Sequence, residues 1–268
     1  MPELPEVETV RRQLEPLVVG RRLVEGWGFA SPKFAAAPDA VGPSVEAIGR
    51  RGKYLLVGLD DGRELVLHLG MTGRLAVRPA GADHDPYVRA WWALDDGNVL
   101  ALRDVRRFGR LAVVAAGDYA SLPTLARQGP DPWDPVLDGD GFWRRTRASR
   151  ARVKTQLLSQ RPLAGVGNIY ADEALWAARV HPARRSLTRS EAVTLLGEVR
   201  AALARGLAND GTTLRDYRRP DGGEGRNQHH LACYGRAGLP CLRCGTALRR
   251  AVYDGRGTTF CRACQPSR

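Results

Sequence analysis

Four cysteines near the end of this chain are the residues whose types and spacing point most directly to chemistry. Cys241 and Cys244 are followed, after sixteen intervening residues, by Cys261 and Cys264. Two Cys-x2-Cys pairs at this spacing match a four-sulfur structural zinc site. Each pair sets two sulfurs on one side of a tight turn, and Gly245 helps the first turn reverse. Four protein ligands leave no open position, so the expectation is one structural zinc ion rather than a catalytic one. Two disulfides or a redox pair are the alternative readings. A chain with no signal peptide disfavours the first, and the lack of a helical pattern around the pairs disfavours the second. Cys233 lies outside the spacing, in an apolar run, and reads as a buried strand residue.

A second candidate site is the stretch "LAGVGNIYADEALW" over 163–176, where Gly165 and Gly167 precede a helix starting at Asn168. Glycines there let the backbone approach a ligand, and the N–H groups and dipole of the helix favour a phosphate. Arg147, Arg150, Arg152 and Lys154 lie just upstream and supply charge. A tight helix–helix turn is the plainer reading, and the basic neighbours favour phosphate. Between the cysteine pairs, "GTALRRAVYDGRGTTF" reads as a β-hairpin with "DGRG" at its tip. Residues 241–268 hold six arginines against one acid, Asp254. A rigid hairpin carrying Arg256 at its tip can reach phosphates.

The whole chain shares this bias. It has a formal charge of +12 and a pI near 10.1, which point to a polyanionic partner, most commonly nucleic acid. The cations are 38 arginines and only three lysines, Lys33, Lys53 and Lys154. An arginine-rich composition explains part of the excess. The same bias singles out the lysines, because a compact, titratable ammonium is something arginine cannot provide. No apolar run approaches a membrane span, and "MPELPEVETV" is neither basic nor apolar enough for a signal peptide, so a cytoplasmic protein is expected.

These residues need elements to hold them. Residues 5–17 read as a helix, with Pro5 at its start and Glu6 and Glu8 in its first turn. Runs at 53–59, 64–70, 88–94, 98–104 and 110–116, broken by Gly, Asp and Pro, read as antiparallel strands of a sandwich. The Pro/Asp/Gly-rich stretch 128–141 reads as an inter-domain linker. Helical patterns follow at 142–160, 168–180 and 188–210, the last capped by Thr188 or Ser190. The segment 218–230 reads as a mobile loop.

The segments "MPELPEVET", "RRGKYLLV", "HLGMTGRL", "RDVRRFGR", "GVGNIYADEALW", "HHLACYGR" and "PCLRCGT…GRGTTFCRACQ" together resemble the bacterial formamidopyrimidine-DNA glycosylase family, in its order and from end to end. The resemblance implies an α+β multidomain fold. Its parts are an N-terminal β-sandwich domain flanked by helices (1–130), a helix-two-turns-helix domain with a lesion-capping loop (131–230), and a C-terminal β-hairpin zinc finger (231–268). It implies base-excision repair of 8-oxoguanine and formamidopyrimidines by a bifunctional glycosylase and abasic-site lyase. The partner would be double-stranded DNA carrying oxidised bases or abasic sites, bound by a monomer, with no membrane involved and a nucleoid location.

The resemblance also implies roles. With Met1 removed, Pro2 presents a secondary amine that attacks the sugar C1′ and displaces the base. The resulting Schiff base has no N–H proton to lose, so it stays cationic and drives elimination of the 3′ and then the 5′ phosphate. An α-amine has a reference pKa of about 8 against about 10 for lysine, so more of it is neutral and nucleophilic at pH 7. Glu3 assists as general acid/base, and Glu6 positions Pro2 or a water. First-turn capping is the plainer role for both acids. Lys53 falls on the family's catalytic lysine, beside the phosphate and sugar oxygen of the lesion. Met71, Arg106 and Phe108 fill the gap left by the extruded base, whose flipping costs a few kcal/mol. His68, Arg150, Lys154, Asn168, Tyr234 and Arg256 contact phosphates, Arg256 standing with Pro2, Glu3, Glu6 and Lys53 in the catalytic set, and Tyr87 is a further DNA-binding residue.

Two positions depart from the family pattern. Arg226-Asn227 stand where many members carry an aromatic pair, and Tyr87 stands where members often have His. The other function readings are an oxidised-pyrimidine glycosylase of the endonuclease VIII type, whose opening usually differs after Pro-Glu, and a zinc DNA-binding protein without catalysis.

Overall fold

The computed structural model describes residues 1–81 and 85–267. The chain forms two compact units: residues 1–126 with 209–226, and residues 127–208 with 227–268. The segment 209–226, assigned in sequence to the second domain, folds with the first unit instead.

The first unit opens with helix α1 (Leu4–Val18). Val7, Val10, Leu14 and Val18 recur at helical spacing and are almost completely buried. An isolated 15-residue helix is marginal in water. Burying each of these side chains contributes about 1.5–3 kcal/mol relative to exposure, so packing rather than propensity holds α1.

Eight strands follow: β1 (Leu23–Gly28), β2 (Val45–Arg51), β3 (Tyr54–Leu59), β4 (Arg63–His68), β5 (Gly73–Pro79), β6 (Val88–Leu94), β7 (Asn98–Asp104) and β8 (Arg110–Ala115). They make two antiparallel four-stranded sheets, ordered β2-β3-β4-β8 and β1-β6-β7-β5. Leu55, Leu65 and Leu67 of one sheet and Trp92, Leu100 and Leu102 of the other share one core with α1. Trp92 satisfies its buried indole N–H on the Ala37 carbonyl at 2.8 Å. A short helix, α2 (Pro123–Ala126), ends this part of the chain.

The second unit contains α3 (Gly139–Arg147), α4 (Val153–Leu158), α5 (Asn168–Ala177), α6 (Arg189–Ala208) and the hairpin β9 (Arg249–Tyr253) and β10 (Arg256–Phe260). The stretch read as one helix over 142–160 is two, because residues 148–152 leave helical geometry. The Gln156 amide donates to the freed carbonyls of Ser149 and Ala151. Thr188, not Ser190, caps α6: its hydroxyl accepts from Glu191 N, while its own N–H donates to Glu191 Oε2.

The stretch read as a linker packs onto the second unit. Gly129 N donates to the Gln160 carbonyl, and Arg200 donates to the carbonyls of Pro132 and Leu137. Among the described residues, no helix is long and apolar enough to cross a membrane.

Candidate functional site

In the first unit, Pro2 is buried and Glu3 is the N-cap of α1. Glu3 and Glu6 form a reciprocal capping box, with Glu3 N donating to Glu6 Oε2 at 2.8 Å. The second oxygen of Glu6 accepts from Thr212 N at 2.7 Å. Glu6 is 1 % exposed, and both its oxygens serve backbone donors. Its role is therefore to hold the turn containing Pro2 and Glu3, and it does so from both sides. Gly211 packs against it: a Cβ there would lie 2.8 Å from Glu6 Cγ, on a backbone with φ +83°.

The loop behind Thr212, read in sequence as mobile over 218–230, is closed by its own hydrogen bonds. Arg226 N donates to Asn209 O, Arg219 N to Gly223 O, and Gly225 N to Thr213 Oγ1. Asp210 pairs with Arg219 at 3.0 Å and Arg226 at 3.7 Å. Asn227 is buried, whereas Arg226 is exposed.

Lys53 is buried beside Gly52, whose φ of +57° turns the chain between β2 and β3. His68 ends β4 opposite Tyr54, with ring centroids 4.7 Å apart. Burial, then the charges of Arg110 and Lys53, depress the His68 pKa from 6.5 to about 3. The imidazole is therefore neutral at pH 7. Its Nδ1 accepts from Gly70 N at 3.1 Å, which places the proton on Nε2. His68 is thus a fixed neutral donor rather than a cation.

Met71 is half-buried, while Arg106 and Phe108 are exposed, on the two loops after β4 and β7. The Arg106 guanidinium lies 4.7 Å from the Phe108 ring centre. Phe108 is 48 % exposed, so it is not the core aromatic that such a residue ordinarily is. Lys33 donates to the Arg107 carbonyl at 2.7 Å and braces this loop. Tyr87 is exposed at the start of β6, with Arg89 and Arg103 against its ring.

The second unit corrects one expectation. Lys154, assigned to a phosphate, is 1 % exposed. Its ammonium bonds Asp172 at 2.6 Å, Thr258 Oγ1 at 2.9 Å and the Gly257 carbonyl at 3.0 Å. An ammonium has three donors, and all three have internal partners, so none is left for DNA. Burial pushes the Asp172 carboxyl up to about 6 against the pull of Lys154. Lys154 instead fixes the finger hairpin to α4 and α5. Asn168 helps, its amide donating to Gly257 O at 3.0 Å.

Glu173, next on α5, accepts from the backbone N–H groups of Ala232, Cys233 and Tyr234 at 2.8–2.9 Å. It thereby folds the turn presenting Tyr234. Cys233 is buried as expected but lies in this turn, not in a strand.

The hairpin turns at Asp254-Gly255, with φ of 49° and 75°. Arg256 therefore begins β10 opposite Tyr253, one residue past the tip, and is exposed. Arg150 is exposed in the turn between α3 and α4, where its carbonyl accepts from Arg185.

The four cysteine sulfurs lie within 4.8 Å of one another, Cys244 and Cys261 at 3.5 Å. Tetrahedral zinc with Zn–S of about 2.3 Å sets sulfurs about 3.8 Å apart. The cluster therefore fits one ion with little adjustment. Trp176 Nε1 points at Cys241 Sγ from 3.3 Å, an outer hydrogen bond of the kind that orients metal ligands.

Three family descriptions match in succession. Residues 1–111 match the formamidopyrimidine-DNA glycosylase N-terminal domain, 128–218 its H2TH domain, and 238–266 a zinc finger found in FPG and IleRS. The chain belongs to the formamidopyrimidine-DNA glycosylase family. Relatives of that name from Thermus thermophilus and Deinococcus radiodurans are 47% and 44% identical. The alignments cover 99% and 100% of this chain and 98% of each relative. The crystal structure of the Thermus thermophilus MutM (Fpg) protein superimposes with a TM-score of 0.92 at 45% identity, covering all of both chains. A Lactococcus lactis Fpg mutant in complex with a Fapy-dG containing DNA gives 0.91 at 31% identity, covering 99% of this chain and 100% of that one.

Sequence reasoning missed Thr72, Asp104, Asp172, Glu173 and Thr212, whose partners lie far away in sequence. The acids in "YADEALW" carried a faint signal, since two carboxylates in an otherwise apolar helix need buried donors.

Proposed function

We propose that this chain excises oxidised purines from duplex DNA and then cuts the abasic strand. The observation that carries the reading is the built start of α1, in a chain of this family. Glu6 clamps the backbone of Glu3, so loss of Met1 would leave the Pro2 amine on a fixed support. The Pro2 nitrogen forms a bond to C1′ as the bond from C1′ to the base breaks, and the base leaves with a proton. Ring opening gives a cationic Schiff base, with Glu3 handling the proton at the sugar oxygen. Loss of a C2′ proton then expels the 3′ phosphate, and a second elimination expels the 5′ phosphate.

Lys53 and the His68 Nε2–H donate to the phosphate beside the lesion. Met71, Arg106 and Phe108 enter the gap. Asn168, Tyr234, Arg150 and Arg256 bind phosphate, and Tyr87 offers an exposed ring to DNA. Lys154 acts through the hairpin. The bound zinc ion would hold the finger rigid and take no part in the chemistry. The functional division follows an N-terminal catalytic domain, a helix-two-turns-helix domain and a finger, in a monomer acting on DNA in the bacterial cytoplasm and at the nucleoid.

The test is excision from duplexes carrying either 8-oxoguanine opposite cytosine or thymine glycol. Faster release of 8-oxoguanine supports the reading, and faster release of thymine glycol favours the pyrimidine-specific alternative. Binding without release of either base leaves a DNA-binding protein without catalysis.

A further inference from the structure

Asp104 is fully buried at the end of β7, and its carboxylate joins two loops. Oδ1 accepts from Thr72 Oγ1 at 2.5 Å, and Oδ2 accepts from Gly109 N at 2.7 Å. The Thr72 hydroxyl, having donated its proton to Asp104, accepts from Arg106 N at 3.0 Å. This chain of bonds runs from the loop of Met71 through Thr72 and Asp104 to both ends of the loop holding Arg106 and Phe108.

The backbone around it leaves no slack. Gly73 and Asp104 are register partners at the β5–β7 edge, and Gly73 N donates to Leu69 O at 2.9 Å. Gly70 has φ of +64°, and a Cβ there would meet Gly109 N at 2.4 Å. The two loops are thus in direct contact, with Met71 half-buried and Val105, Arg106, Arg107 and Phe108 turned toward solvent. Arg89 donates to the Asp104 carbonyl at 3.0 Å and fixes the clasp from behind.

We infer that Asp104 and Thr72 are positioning residues that set Met71, Arg106 and Phe108 as one preformed wedge before DNA arrives. The inference rests on the proposed function, because only base extrusion opens a gap for such a wedge. A carboxylate buried at a loop junction is costly unless its bonds are made, and here its acceptors join the two loops. A wedge ordered in advance avoids ordering three side chains on binding. Misplacement of about 1 Å at such a site costs up to about a hundredfold in rate.

The decisive variant is Thr72→Val, which keeps the shape of Thr72 but removes both bonds, alongside Thr72→Ser, which keeps the hydroxyl. Chains with Pro2 freed are trapped with borohydride on two substrates. One is a duplex with 8-oxoguanine opposite cytosine. The other is a single-stranded abasic oligonucleotide, which has no partner strand and hence no gap to fill. The proposal expects Thr72→Val to lose roughly ten- to a hundredfold in trapping rate on the duplex, with the single strand unchanged and Thr72→Ser near wild type. Equal loss on both substrates makes Thr72 merely structural and overturns it, as does no loss on either. A wild-type chain that traps on neither substrate overturns the enzymatic reading, and this proposal with it. Asp104→Asn, tested in the same way, should repeat the pattern if it folds.

Discussion

The carboxylate of Glu6 in the first turn of α1 accepts a hydrogen bond from the backbone N–H of Thr212, 206 residues later, at 2.7 Å. One buried acid therefore ties the support of Pro2 to the loop that follows α6. A change in either is felt by the other, and the family reading gives these parts different tasks: the amine attacks the sugar, and the loop covers the base.

Glu6→Gln replaces one acceptor oxygen by an NH2 group that opposes a backbone donor. The expected loss of stability is about 1–3 kcal/mol, measured by urea unfolding. Gly211→Ala strains a left-handed backbone against Glu6 and should slow release of 8-oxoguanine more than cutting at a preformed abasic site, which has no base to cover. Equal slowing of both steps would contradict the separate tasks.

Lys154→Met leaves the buried Asp172 carboxyl without its counter-charge and without that hydrogen-bond donor. Removing one member of such a pair costs about 3–5 kcal/mol, so unfolding of the second unit should shift by that order. Adding Asp172→Leu should recover much of the loss. A surface phosphate contact would behave differently, weakening DNA binding with stability intact and without recovery by the second change.

The strands that the sequence missed share a physical property. β1, β2 and β5 carry exposed polar residues and glycines that dilute their alternation, whereas β8, an edge strand as they are, keeps the apolar run over 111–115 and was legible. The interior strands β3, β4, β6 and β7 were legible, as was α1 with its apolar stripe. The pattern at 142–160 hid a break because residues 148–152 keep helix-compatible types while Gln156 caps freed carbonyls. The zinc ligands were legible because their spacing is local. The burial of Lys154 was not, since Asp172 lies eighteen residues away and Thr258 a hundred and four.

His68 should stay neutral well below its ordinary range. Its pKa is depressed in the fold, so the unfolded chain takes up a proton between pH 6.5 and about 3 while the native chain does not. Its stabilising contribution is complete above pH 6.5 and is lost as pH falls toward 3. The histidine Cε1–H resonance, assigned by His68→Gln, should show no titration from pH 8 to 5. A midpoint near 6.5 would contradict the neutral donor.

Native mass spectrometry should find one zinc per chain. Chelation should unfold the hairpin and release Arg256 from its place, weakening DNA binding while leaving the core of the first unit folded. Unchanged DNA affinity after removal of the metal would show that the finger does not need the ion.

The proposed nucleophile, Pro2, can be identified directly. The chain with Met1 removed is incubated with a duplex carrying 8-oxoguanine opposite cytosine, reduced with borohydride and mapped by peptide mass spectrometry. A covalent DNA adduct on the Pro2 nitrogen is expected, absent when Met1 is retained or the amine is acetylated. An adduct on Lys53, or one that forms equally well with Met1 in place, would contradict this assignment.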